Sequence, residues 1–545
     1  MSKLSELMFS HIDKTPEDWY AAFPKRELKE GAAVTRFAPS PTGFLHIGGL
    51  FAAMISYRYA KTTDGVFILR IEDTDKKREI DDGVSAIVTG LSQFGITPDE
   101  GATGLDTEIG AYGPYTQSLR KEIYQSFVKR LVEQGLAYPC FCTEEELGAI
   151  RAEQEKQQKN PGYYGEYAHC RNLSEEEAIA KIEAGVPYVV RLRSPGQEDR
   201  RITVGDLIRG KLEMPENVQD IVLLKTDGVP TYHFAHAVDD TLMGTTHVIR
   251  GDEWIASLPT HVQLFSVLGH KLPKYAHIAP VMKEENGGKR KLSKRKDPEA
   301  TVSYYHEVGF PQESVMEYLM TLANSNFEEW RKPNPTASQD EFPFSLKKMS
   351  QSGALFDLVK LTDVSKNRIA YWTAEQVYEH TLAWAKEYDA ELAEMLSDRE
   401  KAIAFFSIDR GGKNPRKDIA KWSEVKEYFR YLFDSNFEVS YPENLDKSKI
   451  ADVLTGYADI YDDADDKDGW FGKIRSLCEP NGFSPDVKAY KQNPEAFLGH
   501  VGDVSGLIRM ATTGRQNTPD MYEVLRTLGR EEVVARLRRA VEELK

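Results

Sequence analysis

Cysteine is scarce. Four residues, Cys140, Cys142, Cys170 and Cys478, in a chain of 545 cannot supply the dense disulfide framework of a small secreted protein, and they fit a reducing compartment. No stretch approaches the ~18 consecutive apolar residues of a membrane span. No hydrophobic run follows the first lysine either, so neither an anchor nor a secretory leader is expected. Also missing are the dinucleotide-type G-x-G-x-x-G and the P-loop G-x-x-x-x-G-K-[ST], which leaves two common nucleotide-binding modes without support. Nor is positive charge in excess. Lys plus Arg number 70 against 86 Asp plus Glu, a formal net charge of −16. Residues 371–545 alone hold 25 basic against 33 acidic residues, so any contact with a polyanion must come from local clusters. There is no internal repeat. The expected location is the cytoplasm.

What is present is ordinary for globular protein, with 41% hydrophobic and 29% charged residues. At ~100–200 residues per domain, the length predicts three to five domains. Residues 1–32 are polar, with Pro16, Pro24 and Gly31 as breakers, and read as an extension. Residues 33–38 predict a short strand. Pro39-Ser40-Pro41-Thr42-Gly43 ends it, because proline has no N–H for a ladder. Ile47, Leu50, Phe51 and Met54 then repeat at the spacing of one helical face, and Gly65 is placed to stop that helix. Residues 66–71 predict a second strand running into Glu72-Asp73-Thr74-Asp75. Strand, helix and strand within ~40 residues predict a parallel βαβ unit.

A helix over 118–134 and a strand over 136–142 follow. Residues 143–215 are charged, helical in places and broken at Pro161-Gly162, and read as an insertion. The α/β pattern resumes at 221–224 and 231–237, then at 248–250 with a helix over 254–268. Beyond about residue 301 the expectation is helices with polar loops, the acidic stretch 462–468 being a solvated connection.

Two stretches carry chemistry. The first, Arg36 to Gly49, ends a strand and opens a helix at Phe44-Leu45-His46-Ile47-Gly48-Gly49. Such a junction leaves free backbone N–H groups and a positive dipole end where an anion can sit. His46 can donate to a phosphate, and Gly48 and Gly49 clear side chains from a place where a flat ring must come close. The second, Lys283 to Lys296, sets seven basic residues against Glu284 and Glu285. Gly287 and Gly288 predict a mobile cationic loop, able to close over a triphosphate and neutralise departing pyrophosphate.

Together, in this order and ~240 residues apart, these stretches resemble the His-Ile-Gly-His and Lys-Met-Ser-Lys-Ser signatures of class I aminoacyl-tRNA synthetases. Here they stand as His46-Ile47-Gly48-Gly49 and Lys291-Leu292-Ser293-Lys294-Arg295. The Gly in fourth place, the Leu and the final Arg are familiar in the bacterial glutamyl-tRNA synthetases. Thr35 to Gly43, Arg70-Ile71-Glu72-Asp73-Thr74-Asp75, Tyr112 to Ser118, Pro230-Thr231-Tyr232-His233, Val238-Asp239-Asp240 through Trp254, and Phe356-Asp357-Leu358 also look like that branch. The Pro-Pro-Glu-Pro-Asn-Gly turn typical of glutaminyl enzymes is absent.

The resemblance implies an α/β, Rossmann-like catalytic domain over 33–142 and 216–300, preceded by the 1–32 extension and split by an α+β acceptor-stem insertion over 143–215. A stem-contact domain over 301–370 and a mainly helical anticodon-binding domain over 371–545 would follow. It implies a cytoplasmic monomer that activates L-glutamate with ATP and Mg²⁺, usually with tRNA bound. Glutamate would pass to the 3′-terminal adenosine of tRNA(Glu), with tRNA(Gln) open as a second acceptor. His46, Gly48, Lys291 and Lys294 are the implied catalytic residues. Arg36 and Arg250 would clamp carboxylates, the forked and permanently charged guanidinium suiting that task. Glu72 would hold the ammonium, Ser40 and Tyr232 would supply hydroxyls, and His236 stands where relatives often carry Asn. His46, Gly48, Glu253, Trp254, Leu292 and Lys294 would bind ATP. In the C-terminal region Arg410, Lys413, Arg416 and Arg515 are candidates for tRNA.

Cys140-Phe141-Cys142 and the later Cys170 offer three thiols that suit Zn²⁺ if a fourth ligand closes the tetrahedron. Some glutamyl enzymes carry a zinc knuckle here, Cys-x-Cys plus a later Cys with His or Tyr. This chain departs from that pattern, with Asn172 in the histidine position and Tyr167 one residue too close. The expectation is structural zinc on Cys140, Cys142 and Cys170 with His169 or Tyr167 as fourth ligand; three reduced cysteines without metal are the other reading. Two functional alternatives also stand. One is glutamyl transfer to a modified anticodon base, whose enzymes typically lack the helical region present here after residue 371. The other is a non-enzymatic tRNA-binding relative, for which retention of His46 and Lys294 would be unexpected.

Overall fold

A computed structural model describes residues 3–41, 43, 45–75, 82–293, 295–434 and 437–545. Lys294 lies outside the described residues. The chain forms two compact units, Met1–Tyr305 with Met316–Asp357, and His306–Val315 with Leu358–Lys545. Among the described residues no helix is long and apolar enough to cross a membrane.

Five parallel strands organise the first unit: β1 (Val34–Phe37), β2 (Val66–Leu69), β3 (Glu100–Ala102), β4 (His247–Gly251) and β5 (Lys274–Ile278). β2 pairs with β1 and β3, and β4 pairs with β5, all in parallel. Thr246 joins the two sets: its N–H donates to Val34 O at 3.0 Å, and its Oγ1 accepts from Val34 N at 2.8 Å. The resulting order is β3-β2-β1-β4-β5. The chain winds outward from β1 and then returns to the other side, so the order reverses between β1 and β4. Open α/β sheets bind ligands beyond the carboxyl ends of their strands at such a reversal.

Local sequence explains these elements. Phe67, Ile68 and Leu69 are buried on both faces of the sheet, hence their continuous apolar run. Helix α1 (Ile47–Thr62) buries Ile47, Leu50, Phe51 and Met54, the face its spacing predicted. The 118–134 helix divides into a 3₁₀ turn, Gln117–Arg120, and an α-helix, Lys121–Glu133. Residues 231–237 are not strand. They open helix α2 (Tyr232–Leu242), which buries Phe234, Ala235, Val238 and Leu242, a helical rather than an alternating pattern.

Residues 143–215 contain more strand than their charge suggested. Val189–Leu192 pairs antiparallel with both Ala137–Cys140 and Val222–Leu224. Arg201–Asp206 and Gly210–Pro215 form a hairpin whose first strand joins β5 at Asp206–Tyr275. Gly210–Pro215, the edge strand, keeps Leu212 and Met214 half-buried between exposed Lys211, Glu213 and Pro215, a period its charges masked. Residues 1–32 also take part in the fold. Helices Lys3–Met8 and Pro16–Ala22 put Met8, Phe9, Ile12 and Trp19 into one core with Ile123, Tyr124 and Phe127. Such side chains stabilise by roughly 1.5–3 kcal/mol each when buried. Arg26 grips Glu100 through two hydrogen bonds, of 2.6 and 2.7 Å.

The second unit is helical around one core that includes Phe405, Phe406, Trp422 and Phe429. Its acidic stretch is more than a solvated connection. Asp466 caps helix Lys467–Ser476, Asp463 accepts from Arg530 N at 3.1 Å, and Asp465 pairs with Lys473 at 2.5 Å.

Candidate active site

A cavity of about 880 Å³ opens at the carboxyl ends of β1 and β4, where the strand order places a ligand site. Eleven of the residues singled out from sequence line it: Arg36, Ser40, His46, Gly48, Glu72, Tyr232, Arg250, Glu253, Trp254, Lys291 and Leu292. His46 caps α1, its Nδ1 accepting from Gly49 N at 3.1 Å. A Cβ on Gly48 would lie 3.0 Å from His46 Cε1, so glycine there lets the ring keep its place at the helix mouth. At the end of β4, a Cβ on Gly251 would come within 2.3 Å of the Glu253 carboxylate; glycine lets Glu253 fold back against the backbone. Tyr232 and Trp254 form an aromatic wall, ring centroids 4.4 Å apart.

Beneath the cavity lies a buried ionic network. Arg70, fully buried, donates to Asp240 at 2.6 Å and to Glu72 at 3.1 Å. Asp240 also faces Arg36 at 3.4 Å. Asp239 accepts from Arg120 at 2.7 Å, from Tyr124 at 2.8 Å and from Gln117 at 2.9 Å. Burial works against ionising Asp240, but Arg70 and Arg36 hold its carboxyl well below the ordinary range. Glu72 goes the other way: burial outweighs Arg70 and Arg36 and pushes its carboxyl up to about 7. His236 is not on the cavity wall. It stacks behind Tyr232, Nε2 hydrogen-bonded to Tyr275 at 3.1 Å and Nδ1 2.8 Å from Asp240. Burial pulls it down to about 4, so it is neutral.

The basic stretch begins as a hairpin rather than a free loop. Val281–Glu285 pairs antiparallel with Gly288–Lys291, and Asn286 and Gly287 both take positive φ, 53° and 77°, the signature of a tight two-residue turn. Asp297 anchors it, accepting from Arg290 at 2.5 and 2.8 Å, from Lys283 at 3.2 Å and from Ser293 N at 2.9 Å. Asp297 therefore engages Arg290 and Lys283, while Lys291 stands at the cavity rim, 3.9 Å from Glu253. The chain after the hairpin returns to the first signature: Thr301 bridges His46, and Val302 N donates to Leu45 O at 3.2 Å. The two stretches, far apart in sequence, are adjacent in space.

Residues 32–362 match the family described as tRNA synthetases class I (E and Q), catalytic domain. That match spans more than half of the chain. The chain belongs to this family. Residues 489–541 match a second family, described as an anticodon binding domain. The glutamate–tRNA ligase of Clostridium perfringens is 51% identical over 541 residues, covering 98% of this chain and 99% of that one. That of Acetivibrio thermocellus is 49% identical over the same shares. A crystal structure of a glutamate tRNA ligase from Elizabethkingia meningosepticum, in complex with its amino acid, matches 94% of this chain and all of the other, with a TM-score of 0.76 at 29% identity.

Elsewhere in this class I synthetase the candidate residues are less uniformly placed. The Sγ atoms of Cys140, Cys142 and Cys170 lie within 4.8 Å of one another. Neither expected fourth ligand reaches them. Tyr167 gives its hydroxyl to Gln157 at 2.7 Å, and His169 is exposed. The oxygen at the thiols is that of Tyr163, 3.2 Å from Cys142 Sγ. In the second unit Lys413 is exposed, but Arg410 is turned inward, donating to Phe406 O at 2.8 Å and Ile369 O at 2.7 Å. Arg416 pairs with Asp418 at 3.0 Å, and Arg515 donates to Glu427 O. Sequence reasoning missed His261 and His277, which hold Arg250 from behind the cavity, and Asp206, which holds His277. Their one local signal was a histidine inside the otherwise apolar Tyr275-Ala276-His277-Ile278.

Proposed function

We infer that this chain ligates glutamate to tRNA with ATP. The observation that carries the reading is the cavity at the strand reversal, which sets two guanidinium groups and one carboxylate where a dicarboxylic amino acid needs two cations and one anion. The similarity to glutamate–tRNA ligases and the anticodon-binding match support it. Arg36 and Arg250 receive the carboxylates, and Glu72 receives the ammonium. ATP enters as its Mg²⁺ complex, with its ring against Gly48 and its phosphates between the α1 mouth and the basic hairpin. The substrate α-carboxylate attacks the α-phosphorus, and pyrophosphate leaves toward Lys291 at the cavity rim; the resemblance gives Lys294 the same task. The 3′-terminal ribose hydroxyl of tRNA then takes the glutamyl group and AMP leaves. No side chain acts as nucleophile; the protein orients the reactants and neutralises charge. The anticodon-binding region favours this reading over glutamyl transfer to an anticodon base. Acylation of purified tRNA(Glu) and tRNA(Gln) with labelled glutamate tests it. Acylation of tRNA(Glu) is the expected result, a second signal would add tRNA(Gln), and failure with both while tRNA is bound refutes it.

Glu72 makes the reaction sensitive to pH in a defined direction. The free carboxyl, pushed up to about 7, must ionise to meet an ammonium, so binding expels a proton from the protonated fraction. KM for glutamate is expected to rise as pH falls through 7, approaching roughly tenfold per unit, while KM for ATP stays nearly flat. Glu72→Gln flattens the rise at a higher KM. A glutamate KM unchanged between ~7.5 and ~5.5 contradicts the role.

The thiol cluster fits a soft divalent ion in donor type, and Cys140, Cys142 and Cys170 would hold structural Zn²⁺ with the Tyr163 hydroxyl nearest the fourth position. Metal analysis of untagged protein is expected to find about one zinc per chain, falling in Cys142→Ser. Less than ~0.2 per chain after zinc supplementation ends that reading.

A further inference from the structure

Arg250 differs from every other arginine of the buried network in what holds it. Arg36, Arg70 and Arg120 each face a carboxylate, at 3.4, 2.6 and 2.7 Å. Arg250 is 5% exposed and is held by two imidazoles. Its Nε donates to His277 Nε2 at 3.1 Å, and one terminal nitrogen donates to His261 Nδ1 at 3.1 Å. The other lies 3.5 Å from Trp254 O, and the Tyr275 ring sits 4.8 Å from the guanidinium carbon.

A guanidinium only donates, so these contacts fix both tautomers. His277 must carry its proton on Nδ1, which donates to Asp206 at 2.7 Å. His261 must carry its proton on Nε2, which donates to His233 Nδ1 at 2.9 Å. Asp206 is kept in place in turn by the backbone N–H groups of Ile208 and Arg209, at 2.9 and 2.8 Å. The chain Asp206–His277–Arg250–His261–His233 thus runs from the strand Arg201–Asp206 through β5, β4 and helix Leu258–Val267 to helix α2, and its carboxylate lies one imidazole away from the arginine.

We propose that His261 and His277 are specificity-determining positioning residues, which orient Arg250 through neutral nitrogens and so leave its full charge to a substrate carboxylate. This rests on Arg250 being a carboxylate receptor. Burial is the largest cause keeping both imidazoles below their ordinary range, for His277 against the opposing pull of Asp206, consistent with neutral acceptors. A carboxylate in either place would orient Arg250 equally well but would compete with the substrate for the same charge at low dielectric.

That distinction gives a test which mere fold maintenance would fail. Asn and Asp are isosteric and both place an oxygen acceptor near the position of His261 Nδ1. His261→Asn is expected to cost less than about tenfold in glutamate kcat/KM. His261→Asp is expected to raise KM for glutamate by about 100-fold and to shrink the preference for glutamate over glutamine, with KM for ATP within about threefold. Tight ATP binding shows that the variant has folded; should it fail to fold, His277→Gln against His277→Glu makes the same comparison. Equal behaviour of the neutral and charged variants overturns the proposal. Arg250→Gln separates the layers: an unchanged glutamate KM there refutes the carboxylate reading itself, whereas a large effect there with Asn equal to Asp at position 261 refutes only the role of neutrality.

Discussion

Replacing Arg250 by glutamine is expected to lower kcat/KM for glutamate about 10³-fold while KM for ATP stays within about threefold. The size follows from the environment. Truncating one partner of a buried, hydrogen-bonded charge pair costs roughly 3–5 kcal/mol, and 1.4 kcal/mol is a factor of ten. Arg250 is 5% exposed and among the described residues is held by imidazoles rather than by a carboxylate, so on the proposed reading the substrate supplies the anion, and little solvent screening softens the loss. Selectivity follows from place: Arg250 reaches the cavity from β4, whereas its α1 mouth and the basic hairpin belong to other elements of the lining. Arg250→Lys is a useful companion. It keeps the charge but cannot donate to His261 and His277 in the same fork, so it should fall between the parent and the glutamine variant. Steady-state kinetics with each substrate varied separately check both. Equal losses for glutamate and ATP would make Arg250 a structural residue.

The site was legible where function depends on local backbone form. A strand that stops at a proline run and a helix that starts at His46 follow from the residues themselves, and the family likeness pointed to Arg36 and Arg250, which line the cavity. What stayed hidden was orientation across elements. Tyr232 and His236 are one turn apart on α2, and sequence places both on one face; only the packing of Trp254 against Tyr232 shows that Tyr232 fronts the cavity and His236 backs it. Arg410 reads as a loop cation, yet the carbonyls ending helix Arg399–Ser407 need donors, and Arg410 supplies one to Phe406. His261 and His277 have no shared local pattern at all, since a helix and a strand bring them together around Arg250. The short helices of residues 1–32 fall below the length at which periodicity is distinctive, though their apolar residues complete a core.

Lys294→Ala is expected to lower adenylate formation by ~10²-fold or more while leaving tRNA affinity nearly unchanged. The reason is its sequence position, that of the second lysine of the family's signature, beside cations that are already paired. Arg290 and Lys283 are bound to Asp297, and Lys291 lies 3.9 Å from Glu253, so much of the stretch's charge already faces carboxylates of the protein. Lys294 follows Ser293, whose N–H is held by Asp297 at 2.9 Å, and the next segment bridges back to His46. In sequence Lys294 stands where the family carries its second lysine. Charge grows on the departing pyrophosphate only as the bond to the α-phosphorus breaks. A cation that meets it then lowers the barrier without tightening the ground state. The loss should accordingly fall on kcat of tRNA-dependent pyrophosphate exchange more than on KM for ATP. Lys291→Ala, removing a cation already near Glu253, should cost less. Filter binding of tRNA to each variant provides the control. Near-normal exchange by the Lys294 variant would remove this loop from the chemistry and leave the α1 mouth to carry the phosphates alone.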